Sequence, residues 1–386
     1  MNPNSLLIKN VTIELSDETL SDGSVLIEDG VIQKISQDTI SIETEHMVDG
    51  NGLRLIPGFI DGHIHGAVGC DVMDATDESL RKMAQALPSE GTTSFVATTI
   101  TSPHAEIAAA IEQVAAFHGE KGEAEVLGLH VEGPFINEEK AGAQPKSEIY
   151  SPNLALMQNW NSRAAGKIKT VTYAPELDSE GEFLGWLQEN GVIGSAGHTD
   201  ATFRDIEKAV GQGLTQVTHL CNAMNGVHHR DVGAVGAAML LDEIKSELIA
   251  DRIHVSDQML QLLFRTIGPD RLMLITDAMR AKGMPDGEYT LGGQAVSVKE
   301  GQATLEDGTL AGSVLRMDEA ARNMMDVTDA TIRDIIQMAS VNPAKQLGIF
   351  DRKGSIEVGK DADLVIIDEN FQIQQTYCKG QLGYSR

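Results

Sequence analysis

Between residues 56 and 277 short apolar runs alternate with amphipathic segments of ten or more residues, and this alternation constrains the fold more than any other feature of the chain. Strand-like runs occur at 56–65, 92–99, 126–132, 168–174, 193–198, 216–219, 248–251 and 271–277. Helix-like segments separate most of them. Ser102-Pro103 reads as the N-cap and first residue of one, with Ala105, Ile107, Ala108, Ile111 and Val114 as its apolar stripe. ESLRKMAQAL and DQMLQLLFRTI are two more, the latter capped by Ser256. Eight runs with intervening helices fit a (β/α)8 barrel, whose sites lie at the C-terminal ends of the strands. A doubly wound open sheet is the alternative.

The two ends of the chain follow a different rule. Residues 1–56 read as short alternating strands with turn punctuation, including a hairpin signal at Asp29-Gly30, and residues 357–386 return to that style. The expected organisation is a small β-sandwich domain built from 1–56 and 357–386, enclosing a barrel over 57–356. A β-hairpin insertion near 285–308 is expected after the eighth strand.

Thirty basic against 57 acidic side chains give a net charge of −27. Phosphate backbones select basic faces, so no nucleic-acid partner is expected. An anionic substrate would need a local cluster of donors, screened from the global charge beyond about 8 Å. Cys70, Cys221 and Cys378 are odd in number and lack metal or disulfide spacing, which points to reduced thiols and the cytoplasm. The N-terminus has no signal-peptide pattern, and the longest apolar runs fall far short of a membrane span, so no membrane association is expected.

Polar residues then fall where a barrel needs them. His63 and His65 end the first run, Glu132 the third, His198 the fifth, His219 the sixth and Asp277 the eighth. The period of two in His63-Ile64-His65 puts both imidazoles on one face. Any one of these alone would be an ordinary strand-end residue. Six at the same end of five strands point to a metal site, and imidazole with carboxylate suits Zn²⁺ or Fe²⁺ better than Mg²⁺ or Ca²⁺. His130 shares a face with Glu132 and reads as a hydrogen-bonded interior histidine. His228-His229-Arg230 is a small basic island, either a solvated loop or an anion contact. His254 sits just past the seventh strand, where barrel enzymes often hold phosphate.

These residues lie in stretches that carry a resemblance. IPGFIDGHIHG at 56–66 looks like the opening of the amidohydrolase superfamily, and NPAKQLG at 342–348 with KGSIEVGKDADLV at 353–365 looks like its closing. LHVEGPF at 129–135, GHTD at 197–200, THLCNAM at 218–224, TDAM at 276–279, DGTLAGS at 307–313 and EGTTSF at 90–95 resemble the N-acetylglucosamine-6-phosphate deacetylase family within it. Together the matches span nearly the whole chain.

The resemblance implies a barrel of the metal-dependent hydrolase type and hydrolysis of an acetamide on a phosphosugar in amino-sugar catabolism. It implies a divalent metal, zinc or iron, with one or two ions per chain. Glu132, His198 and His219 match the family's metal ligands and Asp277 its acid/base. Ala143, Asn222, Ala223, Arg230, His254, Leu310, Ala311 and Gly312 match its substrate-contacting positions. Some family members lack the first-strand histidines; the presence of both His63 and His65 here favours two metals, with Glu132 as the candidate bridge. Gln144 stands where some members carry a histidine, and Arg252 where glycine is common. A homodimer is the expected assembly, in which Arg230, on a loop beyond the barrel end, could cross the interface. Another amidohydrolase, acting on a cyclic amide or an unphosphorylated amino sugar, would need the same metals without the phosphate contacts. A catalytically silent metal-binding barrel would keep the metals and lose the chemistry.

Overall fold

A computed structural model describes residues 5–37, 40, 44 and 46–386. Eight parallel strands lie side by side in chain order: Phe59–Ile64, Thr92–Thr99, Glu125–Glu132, Ile168–Tyr173, Ile193–Ala196, Gln216–Val217, Lys245–Ile249 and Leu272–Ile275. Beyond the eighth, the chain hydrogen-bonds back to the first. The Asp277 N–H donates to the His63 carbonyl at 2.8 Å, and the His65 N–H to the Ala278 carbonyl at 2.9 Å. Those bonds close the barrel and exclude the open-sheet alternative.

One helix follows each strand: Asp77–Ala86, His104–Ala116, Leu154–Arg163, Glu182–Glu189, Phe203–Gly211, Gly233–Leu240, Asp257–Thr266 and Met317–Val327. Their apolar faces form a single core with the outer faces of the strands, in which Ile107, Trp160, Leu184, Leu263 and Met324 are buried with Leu129, Val171 and Leu274. Ser256 caps its helix by accepting from the Met259 N–H. Ser102 caps nothing. Pro103 has an extended ψ of 139° and is itself the N-cap, its carbonyl accepting from Glu106 and Ile107.

The first apolar run divides in two. Arg54–Pro57 joins the terminal sheet and Phe59–Ile64 the barrel. Gly58 lies between them, where a Cβ would meet the Thr93 side chain at 2.2 Å, so only glycine lets the chain turn this close to the second strand.

The terminal segments form one continuous eight-stranded sheet drawn from both chain ends. It curls until its far turns meet, with the Asp29-Gly30 turn against the Lys379-Gly380 turn and Ala362 N–H bonded to the Gly30 carbonyl. Inside lie Ile8, Val25, Ile27, Ile32, Leu364 and Ile366. The excursion after the eighth strand has one strand more than a hairpin: Gly287–Leu291, Gln294–Lys299 and Gln302–Thr304 make an antiparallel meander over its own core of Leu291, Val296 and Ala303. The third strand gives the meander a second ladder, so Val298 is flanked by Gly287 and Ala303 and a lone hairpin's marginal stability is avoided. Among the described residues, no helix is long and apolar enough to cross a membrane.

Candidate active site

The C-terminal mouth of the barrel opens into a cavity of about 330 Å³. His65, Glu132, His198, His219 and Asp277 line it, as do Ala143, Asn222, Ala223, His254, Leu310 and Gly312. His63 lies just beneath, fully buried. Ala311 is also fully buried but faces the core of the meander, and its N–H is bonded to the Ala303 carbonyl. Arg230 is not at this cavity. It is exposed on the 226–231 loop, with its guanidinium 2.7 Å from His229 Nε2.

Two clusters of ligand-type atoms meet at Glu132. In the first, His198 Nε2 and His219 Nε2 lie 3.3 and 3.0 Å from Glu132 Oε1 and only 3.0 Å from each other. His198 Nδ1–H donates to the Lys140 carbonyl at 2.9 Å, which leaves Nε2 as a lone pair aimed at its neighbours. Two imidazole nitrogens facing one carboxylate oxygen form a donor set that a shared cation satisfies. In the second, His63 Nε2 and His65 Nε2 lie 3.3 Å apart, and Asp277 Oδ1 is 3.4 and 3.2 Å from them. Glu132 Oε2 is 3.2 Å from His65 Nε2, so its two oxygens face the two clusters.

Three of these residues sit two positions past their strands, not within them, on left-handed backbone. His198 has φ 47°, His219 φ 30° and Asp277 φ 47°. The reversed φ ends the ladder and swings the side chain over the barrel axis. Gly197 makes room for this; a Cβ there would fall 2.7 Å from Thr218 Cβ and 2.8 Å from Thr172 Cγ2. Beneath the ligands, His130 Nε2 meets Thr172 Oγ1 at 2.6 Å, and Thr172 and Ser195 both bond to Thr218. His130 is thus a hydrogen-bonded interior residue.

Several contributors escape the sequence reading. Glu247 is buried on the seventh strand and accepts from His63 Nδ1 at 3.0 Å, from Gln216 at 2.8 Å and from the His219 N–H at 3.3 Å. It therefore orients a histidine of each cluster. The run read at 248–251 began one residue too late to include it, although a carboxylate inside SELIA was the available signal. Asp61 accepts from the His63 N–H and the Thr276 N–H, each at 3.2 Å, and so ties the first strand to the last. Gln144 donates from Nε2 to Glu132 Oε2 at 2.9 Å while its Oε1 accepts from the Thr101 N–H. It braces Glu132. Arg252 has φ 66°, which accounts for glycine being common there; its guanidinium is held at the surface by Asp257 and Asp326.

Without metal the charges pair among themselves. Burial alone would lower the His65 pKa, but Asp277 and Glu132 outweigh it and raise the value to about 9. Burial pushes Asp277 up, yet the adjacent His63 and His65 bring it down to about 2. Burial likewise opposes the Glu132 charge, and His63 with the other histidines holds it well below the carboxylate range. A folded pKa of about 9 against an unfolded value near 6.5 means that the His65 contribution to metal-free stability is complete below about pH 6.5. It is lost as pH rises through 9. Metal binding should run the opposite way, because the proton on His65 must leave first. Calorimetry of Zn²⁺ uptake at pH 7 in buffers of different ionisation enthalpy should show net proton release that declines as pH rises through about 9. Uptake with no proton release would mean that His65 is not displaced by metal.

The amidohydrolase family model matches residues 54–383. The chain is 45% identical to N-acetylglucosamine-6-phosphate deacetylase of Bacillus subtilis over 98% of its own length and 97% of that protein. It is also 45% identical to the enzyme of that name from Lysinibacillus sphaericus, again over 98% and 97%. Its fold superposes on the crystal structure of N-acetylglucosamine-6-phosphate deacetylase from Thermotoga maritima with a TM-score of 0.88, covering 98% of this chain and all of that one at 33% identity.

Proposed function

Since the chain belongs to the amidohydrolase family, we propose that it hydrolyses N-acetyl-D-glucosamine 6-phosphate to D-glucosamine 6-phosphate and acetate in the cytoplasm, as a step of amino-sugar catabolism. The observation that carries this reading is the convergence of Glu132, His198, His219, His63, His65 and Asp277 at the mouth of one closed barrel, beside a cavity of sugar size.

Glu132, His198 and His219 would hold one divalent metal, and His63, His65 and Asp277 would hold a second. Zinc or iron suits this donor set. When bound, the metal is a Lewis acid that polarises the acetamide carbonyl and acidifies water at neutral pH. Asp277 takes the proton of the attacking water and delivers it to the departing amine nitrogen, acting first as base and then as acid. Glu247 keeps His63 Nδ1 protonated and its Nε2 turned towards Asp277. His254 keeps its Nδ1–H on Asp251 at 2.6 Å and presents its other edge to the cavity, where it meets the phosphate with Asn222 and Ala223. Leu310 and Gly312 wall the sugar on the side of the meander. Remote grip on the phosphate orients the amide towards Asp277. Arg230, outside its own chain's cavity, completes the phosphate contacts of a second copy in a homodimer.

Metal analysis of the purified protein, combined with amine release from N-acetylglucosamine with and without the 6-phosphate, tests the reading. Turnover confined to the phosphorylated sugar is expected. Equal turnover of both sugars would favour an amidohydrolase without a phosphate contact, and full metal with no turnover a silent barrel. Charge-assisted hydrogen bonds are worth about 1.5–3 kcal/mol, so Arg230→Ala should lower kcat/KM on the phosphorylated sugar about ten- to a hundredfold. Equal losses on both sugars would assign Arg230 to structure.

The second metal has its own test. Native protein should hold close to two ions, and His63→Ala with His65→Ala should lose one of them while Glu132, His198 and His219 keep the other. Unchanged stoichiometry in that double variant would refute a site at the first-strand histidines.

A further inference from the structure

A second cavity, of about 640 Å³, lies at the opposite end of the barrel, where the N-terminal ends of the second, third and fourth strands meet the curled terminal sheet. We propose that it binds a small phosphate ester. Glu125 opens the strand whose last residue is Glu132, and seven steps of about 3.3 Å separate this cavity from the metal cluster by about 23 Å. The two sites do not overlap.

Three lysines of the cavity walls have no ion-pair partner among the described residues, in a chain whose net charge is −27. Lys121, Lys167, Lys169 and Lys379 line the cavity. The carboxylates there are neutralised largely from behind. Glu125 pairs with Arg352, Lys353 and Lys379 at 2.9 to 3.0 Å, Glu123 with Arg81 at 3.1 Å, and Asp363 with the buried Lys353. Glu120 pairs with Arg81 at 3.2 Å, and Asp29 is not free either. Lys379 is consumed by Glu125, but the other three lysines are not matched. Among the described residues, Lys169 is half-buried with no hydrogen-bond or ion-pair partner, and Lys167 has only the Ala115 carbonyl, at 2.7 Å. Lys121, exposed at the rim, has none.

Lys167, just before the fourth strand, and Lys169, its second residue, both line the cavity. Two like charges side by side repel unless an anion lies between them. Lysine ammoniums act as compact point charges with rotatable donors, which suits the oxygens of a phosphate. A bare anion would leave most of the volume unfilled. Phe117 and the half-exposed Val126 and Leu127 supply an apolar wall for an organic portion, and the volume lies in the range of small-molecule sites.

Pyridoxal 5′-phosphate is a suitable probe because its aldehyde condenses with a free amine, releasing water, and borohydride then delivers hydride to the imine carbon to fix the label. The holoenzyme is labelled briefly, reduced and mapped by mass spectrometry. Lys169 should be labelled about tenfold faster than the exposed Lys34 and Lys82. Glucose 6-phosphate should suppress labelling at Lys169 at a concentration about tenfold below that of inorganic phosphate. Lys167→Met should slow labelling of Lys169 about tenfold while leaving turnover unchanged. Labelling of Lys169 no faster than of Lys34, or protection spread equally over all lysines, would overturn the site. Equal protection by both phosphates would overturn the assignment to an ester.

Discussion

Asp277→Asn should retain metal and substrate binding while turnover falls by at least the ~10²–10⁴-fold that a positioned general acid/base contributes. The asparagine keeps the shape of the side chain and the backbone bonds that close the barrel, namely Asp277 N–H to His63 and Ser313 N–H to the Asp277 carbonyl. It cannot accept and return a proton. Glu132, His198 and His219 do not depend on Asp277, so at least one metal should remain. The measurement is metal content and substrate affinity beside turnover. Full metal with near-normal turnover would place the proton shuttle elsewhere, and His130 would be the next residue to test. Unmutated enzyme should lose activity as pH falls and Asp277 becomes protonated. With no metal the neighbouring imidazolium groups hold that protonation to about pH 2, and metal cations in their place favour the carboxylate in the same direction.

Glu132→Ala should be at least as damaging, for a different reason. Its carboxylate touches both clusters, and without it His198 and His219 face each other with no counter-charge. Metal content should drop below one ion per chain, and turnover should fall about a thousandfold or more if metal supplies several kcal/mol of transition-state stabilisation. Gln144→Ala is the informative companion. It removes only the brace on Oε2, and outer-shell losses typically cost ~10–100-fold in metal affinity or activity. A Glu132→Ala protein that keeps two ions would sink the bridging role.

The residues of the site were legible because each followed an apolar run, and because a period of two in His63-Ile64-His65 has one geometric meaning. The strand ends were not. The apolar composition of IGSAGH and QVTH continues past the last ladder bond, and nothing in residue type alone announces that His198 and His219 adopt left-handed backbone. Glu247 and Asp61 were missed as supports because partners that fix them are distant in sequence: His63 and Glu247 are 184 residues apart, Asp61 and Thr276 215. Hydrophobic patterning reports which face is buried, whereas hydrogen bonds between strands depend on register, which only the closed barrel fixes. The same limit hid the three-strand form of the meander and the placement of Ala311, a small residue whose direction follows from the ladder it joins.

The reversed backbone at His198, His219 and Asp277 has a consequence for how such a protein can change. Each position imposes a conformation that costs an L-residue about 1–2 kcal/mol and glycine almost nothing. Glycine there would relax the chain and at the same time delete a candidate metal ligand or the proposed acid/base. In the metal-free protein that relaxation is opposed by the loss of buried partners for Glu132, His63 and His65. Selection for thermostability, applied to a library of this chain, would therefore weigh relief of backbone strain against the loss of those buried pairs at each of the three positions.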